Sequence, residues 1–531
     1  GIGTEDGNYF EHWIGAPSYD PEVIDRDLDH IKEMGLNSVS IFIYTGYEKD
    51  QNLLDILRRL QLRGMHANVG LRPGMPQWWD WSKIRQIIEK MRLPQNDTVF
   101  AYDIAWEPMF NTHNDRKIYD KEWEKWIIER YGSIEDAEND WGYAVPRDSD
   151  GTVTNPNPEQ VDNDGPWAKM TAAYRRFLDV LLYKQYSVPR REIRSIDPHH
   201  FVSFRMAEAA NPTYRWDGRI PYDFPYLAGA VDILEPEAYG RIGDWEKVKP
   251  GWFEVAYAKW AAPQKPVIWA EMGCSTWDLT RMQDSRQKLD YQAMFHEAFY
   301  RMLNGSGANG VFFWWYPGGF RYGENSDFGI INPDGTDKPV TKVIRDNAKK
   351  FLTAPAPKAC DYWIDIDRDL HPVGIAGIYD EAKADFWAAI DKGQTPGLRT
   401  AGTGTDSSKA DPRYLDAAFD SVQVMGSDGK WIDVAKGGSV KVAAGKPLTA
   451  KVAFTNLGEA KLLSDVRIAA EVAGQPAMVQ LLGKEVDHLA SGRVDSLKIS
   501  DAVPSDPTKV TIVLLNGTTD FGERFSFTLE P

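Results

Sequence analysis

Two periodicities alternate along the first two-thirds of the chain. Apolar residues three or four positions apart mark amphipathic helices, and short runs of β-branched and aromatic residues mark strands. Pro21 opens a helical pattern through Val23, Ile24, Leu28, Ile31 and Met34 that stops at Gly35. A strand at 38–43, a helix at 53–62 ended by Gly64, a strand at 67–71, a helix at 81–91 and a strand at 99–106 follow. Further helices are predicted at 121–130, 167–185, 290–303 and 340–352, and further strands at 201–206, 231–238, 267–272 and 310–316. With a first strand at 12–16, the strands number eight within roughly 350 residues. Strands alternating with crossover helices build a parallel sheet. The pattern predicts an α/β fold, a (β/α)8 TIM barrel, in preference to a doubly wound open sheet. No Gly-rich phosphate loop follows the first strand, and polar and aromatic residues recur at the C-terminal strand ends, where a barrel gathers its site.

The period then changes. Residues 354–358, A-P-A-P-K, read as a linker, and 360–372 is aromatic and acidic without the spacing of an EF-hand loop. A helix at 379–390 precedes a Gly, Thr and Ser stretch at 393–409 that is expected to be mobile. From 415 onward short alternating runs recur: S-V-Q-V-M, W-I-D-V, S-V-K-V-A-A-G, L-T-A-K-V-A-F-T-N, V-R-I-A-A-E-V, K-V-T-I-V-L-L-N and F-S-F-T-L. They predict a small all-β sandwich, serving in carbohydrate binding or as a stabilising module. The expected organisation is a barrel at 1–355, a linker and barrel-associated extension at 356–414, and the sandwich at 415–531.

Composition narrows the partners. The 531 residues are 42% hydrophobic and hold 20 Trp, 23 Tyr and 22 Phe, an aromatic content suited to stacking on flat apolar faces such as sugar rings. A net charge of −17 argues against nucleic acid and anionic membranes as partners. Two cysteines, Cys274 and Cys360, make no disulfide framework or Cys-rich zinc site. No stretch is long and apolar enough to insert into a bilayer. The chain begins G-I-G-T-E-D without a signal peptide, which leaves secretion neither shown nor excluded.

Two segments carry the chemistry. V-F-A-Y-D-I-A-W-E-P at 99–108 and K-P-V-I-W-A-E-M-G at 265–273 each end an apolar strand on a glutamate, Glu107 and Glu271. At the mouths of the fourth and seventh predicted strands these two carboxylates face each other across a barrel. Glycoside chemistry uses such a pair, with about 5–5.5 Å between carboxyls for retention and a wider gap for inversion. The arrangement resembles the large clan of retaining (β/α)8-barrel glycoside hydrolases that carry the acid/base on strand four and the nucleophile on strand seven, in a family-5-like, family-39-like or family-42-like form. By that resemblance Glu107 is the general acid/base, held protonated by its surroundings, and Glu271 is the nucleophile, kept ionised. Tyr239 in L-E-P-E-A-Y-G touches the nucleophile, with Glu237 as a polar neighbour, and Trp314 or Trp315 forms a sugar platform. The clan's usual N-E-P is A-W-E-P here, so Trp106 stands where an asparagine normally hydrogen-bonds the sugar 2-hydroxyl. Arg72 at the third strand's mouth, Asn111 beyond the fourth, and Arg321 and Glu324 in the loop after the eighth are further candidate substrate contacts.

The resemblance implies an oligosaccharide or polysaccharide substrate and no metal or organic cofactor. The expected activity is exo-acting retaining hydrolysis of β-mannosides, β-galactosides or β-glucosides from plant or microbial polysaccharides, with the loops at 141–160 and 316–329 closing a pocket. An endo-β-glycanase and a non-catalytic carbohydrate-binding or partner-scaffolding barrel are the alternatives. Polysaccharide breakdown favours a secreted or periplasmic location over a cytoplasmic one.

Overall fold

The computed structural model describes residues 19–43, 50–71, 75–215, 217–401, 407–408 and 410–531. The strand expected at 12–16 and the candidate Arg72 lie outside the described residues. Helix α1 (Pro21–Glu33) forms where its sequence pattern places it: the Asp20 carboxylate caps the N–H groups of Glu22 and Val23, Pro21 presets the first turn, and Ile24, Leu28 and Ile31 are buried. Strands β1 (Ser38–Ile43), β2 (His66–Leu71), β3 (Val99–Trp106) and β4 (Phe201–Arg205) pair in parallel and in chain order. α2 (Asp50–Leu62) and α3 (Trp81–Lys90) cross between them.

The segment at 231–238 continues this arc without being a regular strand, because Pro236 has no N–H to give. It is held on one side by Met206 N–H to Glu235 O at 3.0 Å, and on the other by Ile268 N–H to Leu234 O at 3.0 Å. β5 (Ile268–Met272) then pairs in parallel with the Gly310–Phe313 strand. The helices Pro250–Ala261, Arg286–Ser306 and Pro339–Leu352 complete the outer layer. This is the (β/α)8 barrel the periodicity predicts.

Local departures have physical causes. The helix predicted to end at 185 runs over Ala168–Arg194, with Pro189 inside it. Its buried face continues through Tyr186, Pro189 and Ile193, so packing outweighs the one backbone bond that proline removes. The polar insert at 141–160, expected as a lid, is anchored: buried Asn155 accepts from Arg116 and donates to Asp120 and to the carbonyl of His113. The stretch at 393–409, expected to be mobile, contains the strand Pro396–Thr400. That strand pairs in parallel with Tyr362–Ile366 around the helix Ile375–Asp391 and buries Pro396, Gly397 and Leu398.

The C-terminal region is a sandwich of a four-stranded and a five-stranded sheet. Ala417–Met425 and Leu448–Asn456 are central to one, Arg467–Val472, Thr508–Asn516 and Thr519–Glu530 to the other. Gln475–Leu481 and Ser491–Ser500 are strands the sequence pattern misses; both are edge strands, one carrying Pro476, the other mostly polar. The sandwich docks on the barrel through buried carboxylates. Asp416 accepts from Tyr226 Oη at 2.5 Å and Arg130 Nη2 at 2.9 Å, and Glu523 from Lys184 Nζ at 2.8 Å. Among the described residues no helix is long and apolar enough to cross a membrane.

Candidate active site

The two glutamates share a structural device. Along β3 the register runs from Asp103 opposite Ser203 to Trp106 opposite Arg205, so β3 spends three steps where β4 spends two. The extra residue is a bulge that reverses the side-chain alternation. Strict alternation from inward-facing Asp103 would turn Trp106 outward; the bulge turns it inward beside Arg205. The strand then ends at Glu107, whose N–H donates to Arg205 O at 3.1 Å and whose φ is +46°, a left-handed conformation uncommon for a side-chain-bearing residue. β5 repeats the motif: Trp269 lies opposite Val311 and Met272 opposite Phe313, again three steps against two, with Glu271 inside the irregular stretch. Gly273 follows because a Cβ there would lie 1.9 Å from the Trp314 carbonyl oxygen.

Arg205 is the central cation. Its Nε donates to Asp103 at 2.7 Å, Nη1 to Glu271 Oε1 at 2.6 Å and Nη2 to Ser40 Oγ at 2.7 Å. Its guanidinium also lies over the rings of Phe42 at 4.3 Å and Trp106 at 5.3 Å. The second oxygen of Glu271 accepts from Tyr239 Oη at 2.7 Å. Burial pushes the Glu271 carboxyl up to about 7, against the opposing pull of Arg205.

Glu107, Glu237 and Glu271 converge, with one oxygen from each lying within 4.8 Å of the others. A divalent ion accepts such spacing, and each oxygen of Glu271 also accepts one hydrogen bond, from Arg205 and from Tyr239. Glu107 is exposed, whereas Glu237 and Glu271 are buried. An oxygen of Glu107 is therefore open to an incoming ligand while Glu271 lies beneath it.

The remaining candidates divide. Trp314 and Trp315 end the last strand across a cis peptide bond; Trp314 is buried and meets Trp106 edge-on at 5.7 Å, while Trp315 is half-buried. Trp106 stacks on Phe42 at 4.3 Å and so forms part of the wall of the site. Asn111 is exposed, and its carbonyl accepts from Arg116. Arg321 lies over Trp314 and Trp315 at 5.6 and 5.2 Å and donates to Glu324 at 2.6 Å, which ties both residues to the loop itself. Asp103, the partner of Arg205, was not singled out from sequence, although V-F-A-Y-D places a charge inside an apolar strand, the one signal that could have found it.

The chain matches no protein-family model and no curated protein. Its fold does match solved structures. A β-galactosidase from the haloarchaeon Halorubrum lacusprofundi is 13% identical with a TM-score of 0.53, covering 92% of this chain and 98% of that one. A cold-adapted β-galactosidase from Rahnella sp. R3 is 14% identical with a TM-score of 0.51 over 93% and 91% of the two chains. The β-galactosidase of the psychrophilic Marinomonas ef1 is 11% identical with a TM-score of 0.50 over 73% and 69%. At these identities the likeness is one of fold, a (β/α)8 barrel.

Proposed function

We propose that the protein is a retaining β-glycoside hydrolase in which Glu271 attacks the anomeric carbon and Glu107 protonates the departing oxygen, then activates water. The observation that carries this reading is the approach of their carboxyl oxygens to within 4.8 Å at the C-terminal mouth of the barrel. Retention uses carboxyls about 5–5.5 Å apart, whereas an intervening water needs more room. Arg205 and Tyr239 support it further, since both donate to Glu271 and so orient it for attack.

The substrate is a terminal β-linked hexoside, taken in exo fashion. Loops after β5 and after the last strand meet beside Trp315: Trp277 stacks on Phe320 at 4.6 Å, and Thr276 N–H donates to Asp327 O at 2.8 Å. That wall favours a pocket over an open groove. β-Galactosides head the trial list because the structural neighbours carry that activity in their names; β-mannosides and β-glucosides follow.

The test is turnover of an aryl β-glycoside panel by the parent and by Glu271→Ala, with the first-formed anomer followed by NMR. Expected are a retained product and a fall in kcat of at least about a thousandfold in the variant. An inverted product would overturn the mechanism, equal turnover the role of Glu271, and sugar binding without turnover by the parent would mark a non-catalytic barrel.

A further inference from the structure

The barrel interior carries more acid than the retaining pair requires. Asp103, Glu235, Glu237 and Glu271 are all buried, none more than 4% exposed. Among the described residues the cation in contact with them is Arg205, and its bonds go to Asp103 and Glu271. Glu235 and Glu237 receive none of them, and Oε1 of each is buried without a hydrogen-bond partner. Four buried carboxylates against one guanidinium is a balance that a low-dielectric interior does not sustain with all four ionised.

Glu237 is the one placed to matter for chemistry. It bridges in parallel register to Glu271, and one of its carboxyl oxygens lies within 4.8 Å of one from Glu107. The groups around it are Asp103 and Glu107 from β3 and its end, Arg205 from β4, Glu271 from β5, and Glu235 and Tyr239 from its own segment. Carboxyl groups this close disfavour one another's ionised form, and Glu107 is the exposed member while Glu237 is buried. Burial, followed by the charges of Glu271 and Glu107, holds the Glu237 carboxyl well above the usual carboxylate range.

We propose that Glu237 is a positioning residue: a neutral carboxylic acid at physiological pH, whose O–H is donated to Glu107 and fixes and stabilises that residue when it is ionised. The proposal rests on the hydrolase reading for its consequence, though not for its protonation state. As Glu271 bonds to the anomeric carbon and the glycosidic C–O bond breaks, the proton of Glu107 goes to the leaving oxygen. The carboxylate left on Glu107 accepts the O–H of Glu237, which keeps its proton. Water then gives its oxygen to the anomeric carbon and its proton to Glu107, and Glu271 departs.

The first test needs no substrate. Infrared difference spectra of the full-length protein, parent minus Glu237→Gln, are recorded near neutral pH. A protonated-carboxyl C=O stretch present in the parent and missing from the variant is expected; a carboxylate band in its place would overturn the proposal even if hydrolysis is confirmed. The second test separates positioning from packing. Glu237→Leu, which removes the donor, should lower kcat/KM by about 10- to 100-fold, and Glu237→Gln, which keeps an N–H donor, should recover to within several-fold of the parent. Equal losses in the two variants would refute the donor role. Failure of the hydrolase reading would instead show as no turnover by the parent, with the infrared result intact.

Discussion

Glu271 is held by two donors of different kinds, a guanidinium and a phenol, and each leaves its own mark on how the residue titrates. Burial raises its pKa to about 7, while Arg205 and Tyr239 lower it. The nucleophile role proposed for Glu271 requires the ionised form, so kcat/KM should rise with pH through a midpoint near 7, well above that of a solvated glutamate. Removing either donor removes a lowering influence. Arg205→Gln should therefore shift this acid limb to higher pH, and Tyr239→Phe should shift it the same way by less, as read from pH–rate profiles on an aryl glycoside. A limb that stays near the range of a free carboxylate, or moves down in Arg205→Gln, would contradict the electrostatic picture. Trp106 belongs to the same scale: it packs on Phe42 and meets Trp314 edge-on.

At the scale of elements, the barrel strands carry the cost of this chemistry. Glu235 lies two residues before Glu237, and burial followed by the charge of Asp103 pushes it up to about 8. A carboxyl whose pKa is raised on folding binds its proton more tightly in the native state. Its contribution is intact at low pH and is lost as pH rises through the folded value. With Glu271 near 7 and Glu235 near 8, against about 4.3 for a glutamate in the unfolded chain, thermal stability should decline from about pH 4 to about pH 8 and level off above it. Glu235→Gln, which cannot ionise, should flatten the upper part of that decline in differential scanning calorimetry; an unchanged slope would mean Glu235 is already ionised in the fold. The alternating pattern made β3, β4 and β5 legible in advance, but not their bulges. A bulge inserts one residue without changing the run of apolar side chains that marks a strand, and it is set by the neighbouring strand's register.

For the whole molecule, the sandwich and the barrel meet through charged groups that are buried only together. Asp416 joins Tyr226 and Arg130, and Glu523 joins Lys184, Lys436 and the Phe419 N–H. Asp416→Ala leaves Arg130 without its carboxylate and should destabilise the protein by about 2–4 kcal/mol in denaturant titrations, since breaking a buried pair strands the partner. The pH profile of any activity should be unmoved by the same change, because Asp416 contacts none of the groups around Glu271. A shifted profile would tie the sandwich to the site electrostatically.

The chain alone determined the barrel's rhythm, the sandwich that follows it, and the two glutamates at strand ends, because periodicity and the residue that breaks a strand are local properties. V-F-A-Y-D-I-A-W-E-P announced a strand that stops at a carboxylate, and the described part of the fold keeps it so. What only the tertiary structure decided was the company each glutamate keeps. Arg205 reaches Asp103, Glu271 and Ser40 from three different strands, and Glu237 and Glu107, 130 residues apart in sequence (237 − 107), bring carboxyl oxygens within 4.8 Å. Long-range charge balance has no period to read. The number of acids sharing one buried arginine, and hence which of them keeps a proton, is fixed by the register of neighbouring strands and by a single extra residue in β3.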